Sequence, residues 1–349
     1  MNKFFAASNS SLGFKSYYND CFANLDKLYI IKGGPGTGKS GLMRKVAQSA
    51  CKKGYFVENF YCSSDQSSLD GIILLKNNKS IGFIDGTSPH SFDIRIAGAV
   101  DNIIDLGRFW QEDMLVAKRE EIISLSKSKS LEYTSVYKYL CSCGNLAAVI
   151  RLYMGECIEN DRICALASKL TSNIPTIKEG SESVRLIDSI GMRGRVRFDS
   201  FEKMSDKLYV IGDMFGAGEV LLQKIRDNLR AKNRNIIVSY NPIYPDRLDG
   251  IVDKDFGCAF ILSDERAAKD NTKSYIKHVN MKRFVSGDKL AEVKNDIKYA
   301  RALYKKAIDG AQKAFEKIEK YHFALENIYG AAMDFSGVDR LTEDYINKI

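Results

Sequence analysis

Proline is scarce, at 5 in 349 residues, and no low-complexity linker interrupts the chain. Both facts argue against a string of loosely joined modules. Long apolar runs are absent too. No stretch is long enough to span a membrane, and the opening Phe4-Phe5-Ala6-Ala7 gives way at once to Ser8-Asn9-Ser10-Ser11, too short for a secretion signal. A disulfide framework is missing. The 8 cysteines are scattered, and the one close pair, Cys141-Ser142-Cys143, has no histidine or second cysteine pair beside it. Reduced thiols in a cytoplasmic protein are the expectation, rather than a metal site. Neither sign of charge is in large excess: 52 basic against 44 acidic residues leave +8. That balance permits a protein or nucleic-acid partner without demanding one. What remains is a chain of 45% apolar and 28% charged residues, enough for one large globular domain or two ordinary ones.

Against that background residues 28–40 stand out. Leu28-Tyr29-Ile30-Ile31 reads as a short strand, and Gly33-Gly34-Pro35-Gly36-Thr37-Gly38-Lys39-Ser40 fits G-x-x-x-x-G-K-[ST]. An amphipathic run from Leu42 to Ala50 follows, as a helix should. Each residue type has a mechanical reason. The glycines let backbone N–H groups turn inward around phosphates. The helix N-terminus adds the positive end of its dipole. Lys39 suits the β- and γ-phosphates and the Ser40 hydroxyl suits Mg²⁺. The expected ligand is ATP or another nucleoside triphosphate with Mg²⁺.

The chain is also written twice. Asp26-Lys27-Leu28-Tyr29-Ile30-Ile31 returns 180 residues on as Asp206-Lys207-Leu208-Tyr209-Val210-Ile211. Without a gap, seven of the fifteen positions from 26 to 40 are identical, Gly36 and Gly38 falling on Gly216 and Gly218. Leu69-Asp70-Gly71-Ile72 returns as Leu248-Asp249-Gly250-Ile251. The unit is far longer than a solenoid repeat, so it reads as a duplicated domain. The expected fold is α/β: two tandem three-layer domains with mostly parallel sheets, each followed by a helical segment. The first spans residues 1–180 with its helical appendage at 109–170. The second spans 181–349 with its appendage at 288–349. Lys- and Glu-rich faces on these helices read as solvated surface, or alternatively as part of an interacting hairpin. The second copy has lost the loop chemistry. Glu219 and Val220 fall on Lys39 and Ser40, or Gly218 and Glu219 do if one residue is skipped. A carboxylate there repels phosphate.

Other residues of the first copy complete a candidate site. Ser80-Ile81-Gly82-Phe83-Ile84-Asp85 is a second apolar run ending in an acid, where a neighbouring parallel strand would place a Mg²⁺-supporting carboxylate. The alternative for Asp85 is an Asp-Gly turn closing the strand. His90, one of only 3 histidines, follows in a polar loop and could face the γ-phosphate or simply the solvent. Asp65 and Asp70 follow the strand-like Phe56–Tyr61. Asp70 matches Asp249, whereas Asp65 differs between the copies as Lys39 does, which favours a structural Asp70 and a catalytic Asp65. Arg193, Arg195 and Arg197 alternate in the second copy, either as a solvated basic strand or as a source of an arginine finger.

Gly33–Ser40 is similar to the loop of AAA-type ATPases and P-loop kinases. Together with Cys62-Ser63-Ser64-Asp65, Ser68-Leu69-Asp70-Gly71, Asp85-Gly86-Thr87-Ser88-Pro89-His90 and the repeated domain, it resembles an uncharacterised family of tandem P-loop ATPases from Gram-positive bacteria. The resemblance covers nearly the whole chain. It implies a nucleotide-binding fold in the cytosol and brings no substrate. Three functions stay open: an ATPase whose hydrolysis resets a conformation, a kinase for a small molecule or nucleotide, and a binding module that does not hydrolyse its nucleotide.

Overall fold

Leu28 and Ile30 lie on one side of the strand Lys27–Lys32, and Tyr29 and Ile31 on the other, as the period of two requires. Both sides are covered, so the run is almost continuously apolar. The computed structural model describes residues 1–88, 92–263 and 275–349.

The protein is α/β, built on two mixed six-stranded sheets. In the first, the strand order is Asn2–Phe5, Phe56–Tyr61, Leu69–Lys76, Lys79–Asp85, Lys27–Lys32, Asp101–Asp105. The second repeats that order with Glu182–Val184, Ile236–Tyr240, Leu248–Asp253, Cys258–Ser263, Lys207–Gly212 and Tyr275–Asn280. The duplication is therefore structural as well as textual. In each sheet the middle of the order is antiparallel and the rest parallel. One of the two antiparallel steps in the first sheet is a tight hairpin. Asn77 and Asn78 both take positive φ, 50° and 58°, between strands that close at Lys76 and Lys79. Such a turn favours Asn and matches the strand twist.

One face of each sheet meets the other copy. Phe4, Phe5, Phe60 and Ile84 share a core with Leu186, Phe201, Val210 and Ile261. The opposite face of each sheet carries its own helix: Lys39–Lys52 on the first sheet and Ala217–Ala231 on the second.

The helical appendages cross over. The terminal helix Phe335–Lys348 of the second copy packs through Val338 and Leu341 into the core containing Leu42, Met43 and Val46 of the first. Reciprocally, Asn160–Thr171 of the first copy places Ile163 and Ala167 against Leu221, Leu222 and Ile225 of the second. Between them run two long helices, Arg119–Cys157 and Gly287–Ala331. They pair antiparallel: Val136 and Leu140 meet Ala314 and Phe315 near the middle, and Met154 and Cys157 meet Ile297 toward one end. Of the two readings for their charged faces, the interacting pair describes the buried stripe, and the partner of each helix is the other copy's helix. No helix among the described residues is long and apolar enough to cross a membrane. All 8 cysteines are free thiols.

Candidate functional site

Parallel pairing of Lys27–Lys32 with Lys79–Asp85 sets Ile31 opposite Asp85. Asp85 thus ends its strand beside the start of the glycine-rich loop, at the carboxyl edge of the sheet. Lys39, the first residue of the following helix, folds back over that loop. Its Nζ donates to the carbonyl oxygens of Gly33 at 2.8 Å and Gly34 at 2.6 Å, and lies 3.6 Å from Asp85 Oδ2. Asp85 Oδ1 accepts the Thr87 N–H at 2.8 Å and the Thr87 hydroxyl. Burial raises the Asp85 carboxyl above its ordinary value, Lys39 opposes the rise and Asp70 adds to it. Ser40 Oγ accepts the Leu69 N–H at 2.9 Å, tying the helix start to the strand Leu69–Lys76.

Gly36 and Gly38 take φ of +68° and +90°, a region open to glycine. The Thr37 hydroxyl donates to the Gly34 carbonyl at 2.9 Å and braces the turn. Among the described residues, none of the N–H groups from Gly36 to Ser40 meets an acceptor. The loop lines a cavity of ≈ 940 Å³, and Pro35 through Ser40, Asp65, Asp70 and Asp85 all lie on its wall. Gly33 and Gly34 sit behind it as the carbonyl rest for Lys39. Asp65 is buried, and its Oδ1 accepts the Ser67 N–H at 3.1 Å and the Ser67 hydroxyl at 2.6 Å. Asp70 accepts the Tyr18 hydroxyl at 2.9 Å. The two acids therefore do not divide into one on the cavity and one away from it. His90 lies outside the described residues.

The second loop is built differently. Six residues, 33–38, separate strand from helix in the first copy, and four, 213–216, in the second. Gly216 caps its helix with φ +101°, as Gly38 does with +90°. By helix start, Ala217 and Gly218 stand where Lys39 and Ser40 stand in the first copy, so neither register read from the sequence is the structural one. The loss of lysine and hydroxyl holds in every register. Asp213 reveals what took their place. Its carboxylate accepts the N–H groups of Gly216 at 3.0 Å and Gly218 at 3.1 Å. A side chain of the protein fills the anion position at this helix start. Glu219 pairs instead with Arg247, at 3.2 Å. Asp213→Ala should lower stability by about 1 kcal/mol, the usual loss for a helix cap, read as a lower urea midpoint at unchanged m-value. An unchanged midpoint would show the cap to be idle.

The arginines of the second copy are engaged there. Arg195 pairs with Asp188 at 2.7 Å and Arg197 with Glu202 at 2.7 Å, both within partly buried surroundings. For these two, neither a solvated strand nor a finger describes the arrangement. Arg193 is exposed.

Sequence reasoning missed the cavity's other wall. Lys129 and Tyr133 reach it from the first long helix, and His322 and Glu326 from the second. The i,i+4 pair His322–Glu326, 3.4 Å apart, was visible as a spacing, but nothing local said which surface it would face. Comparison of the chain with protein-family models, curated proteins and solved structures gave no match.

Proposed function

We propose that this chain is a P-loop NTPase that binds one nucleoside triphosphate with Mg²⁺ at Gly33–Ser40 and hydrolyses it to drive a change in the paired helices. The contrast between the two loops carries the reading. The first loop leaves its N–H groups from Gly36 to Ser40 without acceptors beside a large cavity. In the second, Asp213 takes the N–H groups at the helix start. Unpaired N–H groups at a helix start are suited to an anion.

Lys39 would exchange the Gly33 and Gly34 carbonyls for phosphate oxygens, a short swing for a flexible side chain. The donor set also fits the metal. Mg²⁺ is usually held by one or two protein oxygens plus phosphates, so it needs no cage of side chains, and among the described residues no cluster of three metal-binding side chains occurs. Ser40 Oγ and Asp85 would hold it. When bound there, Mg²⁺ neutralises charge on the phosphate oxygens. Asp85, kept from water and beside Asp70, gains from a nearby cation. Asp65 is the candidate to orient or deprotonate the attacking water. The cytosolic location and the kinship with tandem P-loop ATPases belong to the same reading.

A kinase is the second reading. The cavity runs past the loop to Asp65, Ser126, Ser130 and Tyr133, which leaves polar wall for an acceptor. Titration calorimetry with a non-hydrolysable ATP analogue and Mg²⁺ should give one site per chain, and phosphate release without any acceptor should be measurable. Two comparable sites, or none, would overturn the reading. Release that requires an added acceptor would favour the kinase.

A further inference from the structure

We propose that Lys129 is a second phosphate-contacting residue of this site, delivered by the helical pair, and that it distinguishes a nucleoside triphosphate from a diphosphate. The inference rests on the nucleotide reading above and assigns to it a residue outside the loop motif.

The fold brings Lys129 to the loop by two steps. First, the second long helix crosses the loop at close range. A Cβ on Gly36 would collide with the Glu326 carbonyl, and one on Gly34 would stand 3.0 Å from the Tyr329 ring. Glycine at these positions therefore serves the helix crossing as well as the turn. Second, the first long helix runs antiparallel beside it and sets Lys129 Nζ 3.4 Å from His322 Nδ1. Ser126, Lys129, Ser130, Tyr133 and Tyr137 fall at helical spacing on one face, and all line the loop cavity.

Lys129 is a cation whose acidic neighbour, Glu326, acts on it from beyond ion-pair distance. It is partly buried, and among the described residues it makes no ion pair. Glu326, on the same cavity wall, is held by His322 Nε2 at 3.4 Å. The His322 ring stands between the two, with Nε2 toward Glu326 and Nδ1 toward Lys129. Burial lowers the Lys129 ammonium below its ordinary value, Lys39 adds to the fall and Glu326 opposes it. A surface lysine would turn to water. This one shares a cavity with Lys39, whose own place is the phosphate loop. A polyphosphate seated on the loop would share that cavity with both ammonium groups. Its outermost phosphate is the part that extends past Lys39 toward the helical wall. Contact there would draw Lys129 away from His322 and so register the terminal phosphate on a helix that spans both copies.

The test compares ADP with adenylyl imidodiphosphate, both with Mg²⁺, by calorimetry on the full chain. Lys129→Gln should weaken the triphosphate analogue by about 10- to 100-fold, the usual worth of a charge-assisted hydrogen bond, and change ADP by less than about threefold. Lys129→Arg, which keeps the charge, should recover most of the loss, and an unchanged urea midpoint should show that both variants fold. Equal weakening of both nucleotides, or weakening of neither, would overturn the proposal while leaving nucleotide binding in place. Wild-type protein that binds neither nucleotide would instead overturn the nucleotide reading, and this inference with it.

Discussion

Lys39→Ala is expected to weaken binding of a Mg²⁺–ATP analogue by more than about 100-fold and to abolish turnover, with little change in stability. The side chain now rests on two loop carbonyls at 2.6 and 2.8 Å, next to a buried carboxylate at 3.6 Å. Lys39 itself lines a cavity of ≈ 940 Å³, so removing its side chain opens the carbonyls behind it to water. Phosphate oxygens have no such substitute, and each charge-assisted hydrogen bond to them is worth roughly 1.5–3 kcal/mol. Asp85 makes the loss steeper. Without Lys39 its carboxylate faces the phosphates unneutralised, which adds repulsion to the missing attraction. Calorimetry on Lys39→Ala would check this against a urea titration of the same variant. Affinity within about threefold of wild type, in folded protein, would remove the loop from the binding site.

What the chain declares about itself is local. The strand Lys27–Lys32, the loop and the helix behind it are specified by residues next to one another, and they form as the pattern indicates. The duplication was legible for the same reason, since whole segments return in order. The hairpin between Leu69 and Asp85 was not singled out, although Asn77-Asn78 marks it, and it makes the sheets mixed. The crossing of the appendages leaves no local trace. An apolar stripe on Gly287–Ala331 requires burial but does not name the surface that buries it. Each of the two copies offers an equivalent surface, and the choice is made by long-range packing. Lys129 and His322 escaped notice for that reason. Asp213 escaped for another: its role depends on a loop two residues shorter, 213–216 against 33–38, and an ungapped comparison hides that deletion.

Asp65 is where the sequence comparison and the geometry pull in different directions, and one substitution separates them. The difference between the copies marks Asp65 as part of the chemistry. The structure shows Oδ1 occupied by the Ser67 N–H and hydroxyl, the ordinary work of an acid in a turn. Asn keeps an oxygen at the same place and can accept both Ser67 bonds, so Asp65→Asn preserves the turn and removes only the charge and the proton-accepting capacity. If Asp65 orients or deprotonates the attacking water from the cavity wall, turnover should fall by about a hundredfold to ten-thousandfold while affinity for the ATP analogue stays near wild type. Asp65→Ala, which breaks the turn as well, should show the same loss of turnover plus a lower urea midpoint. Phosphate release from Asp65→Asn within a few-fold of wild type would make Asp65 a turn residue alone. The base would then have to be sought among the other groups on the same wall, with Asp70 next in line because it too lines the cavity and its charge acts on Asp85.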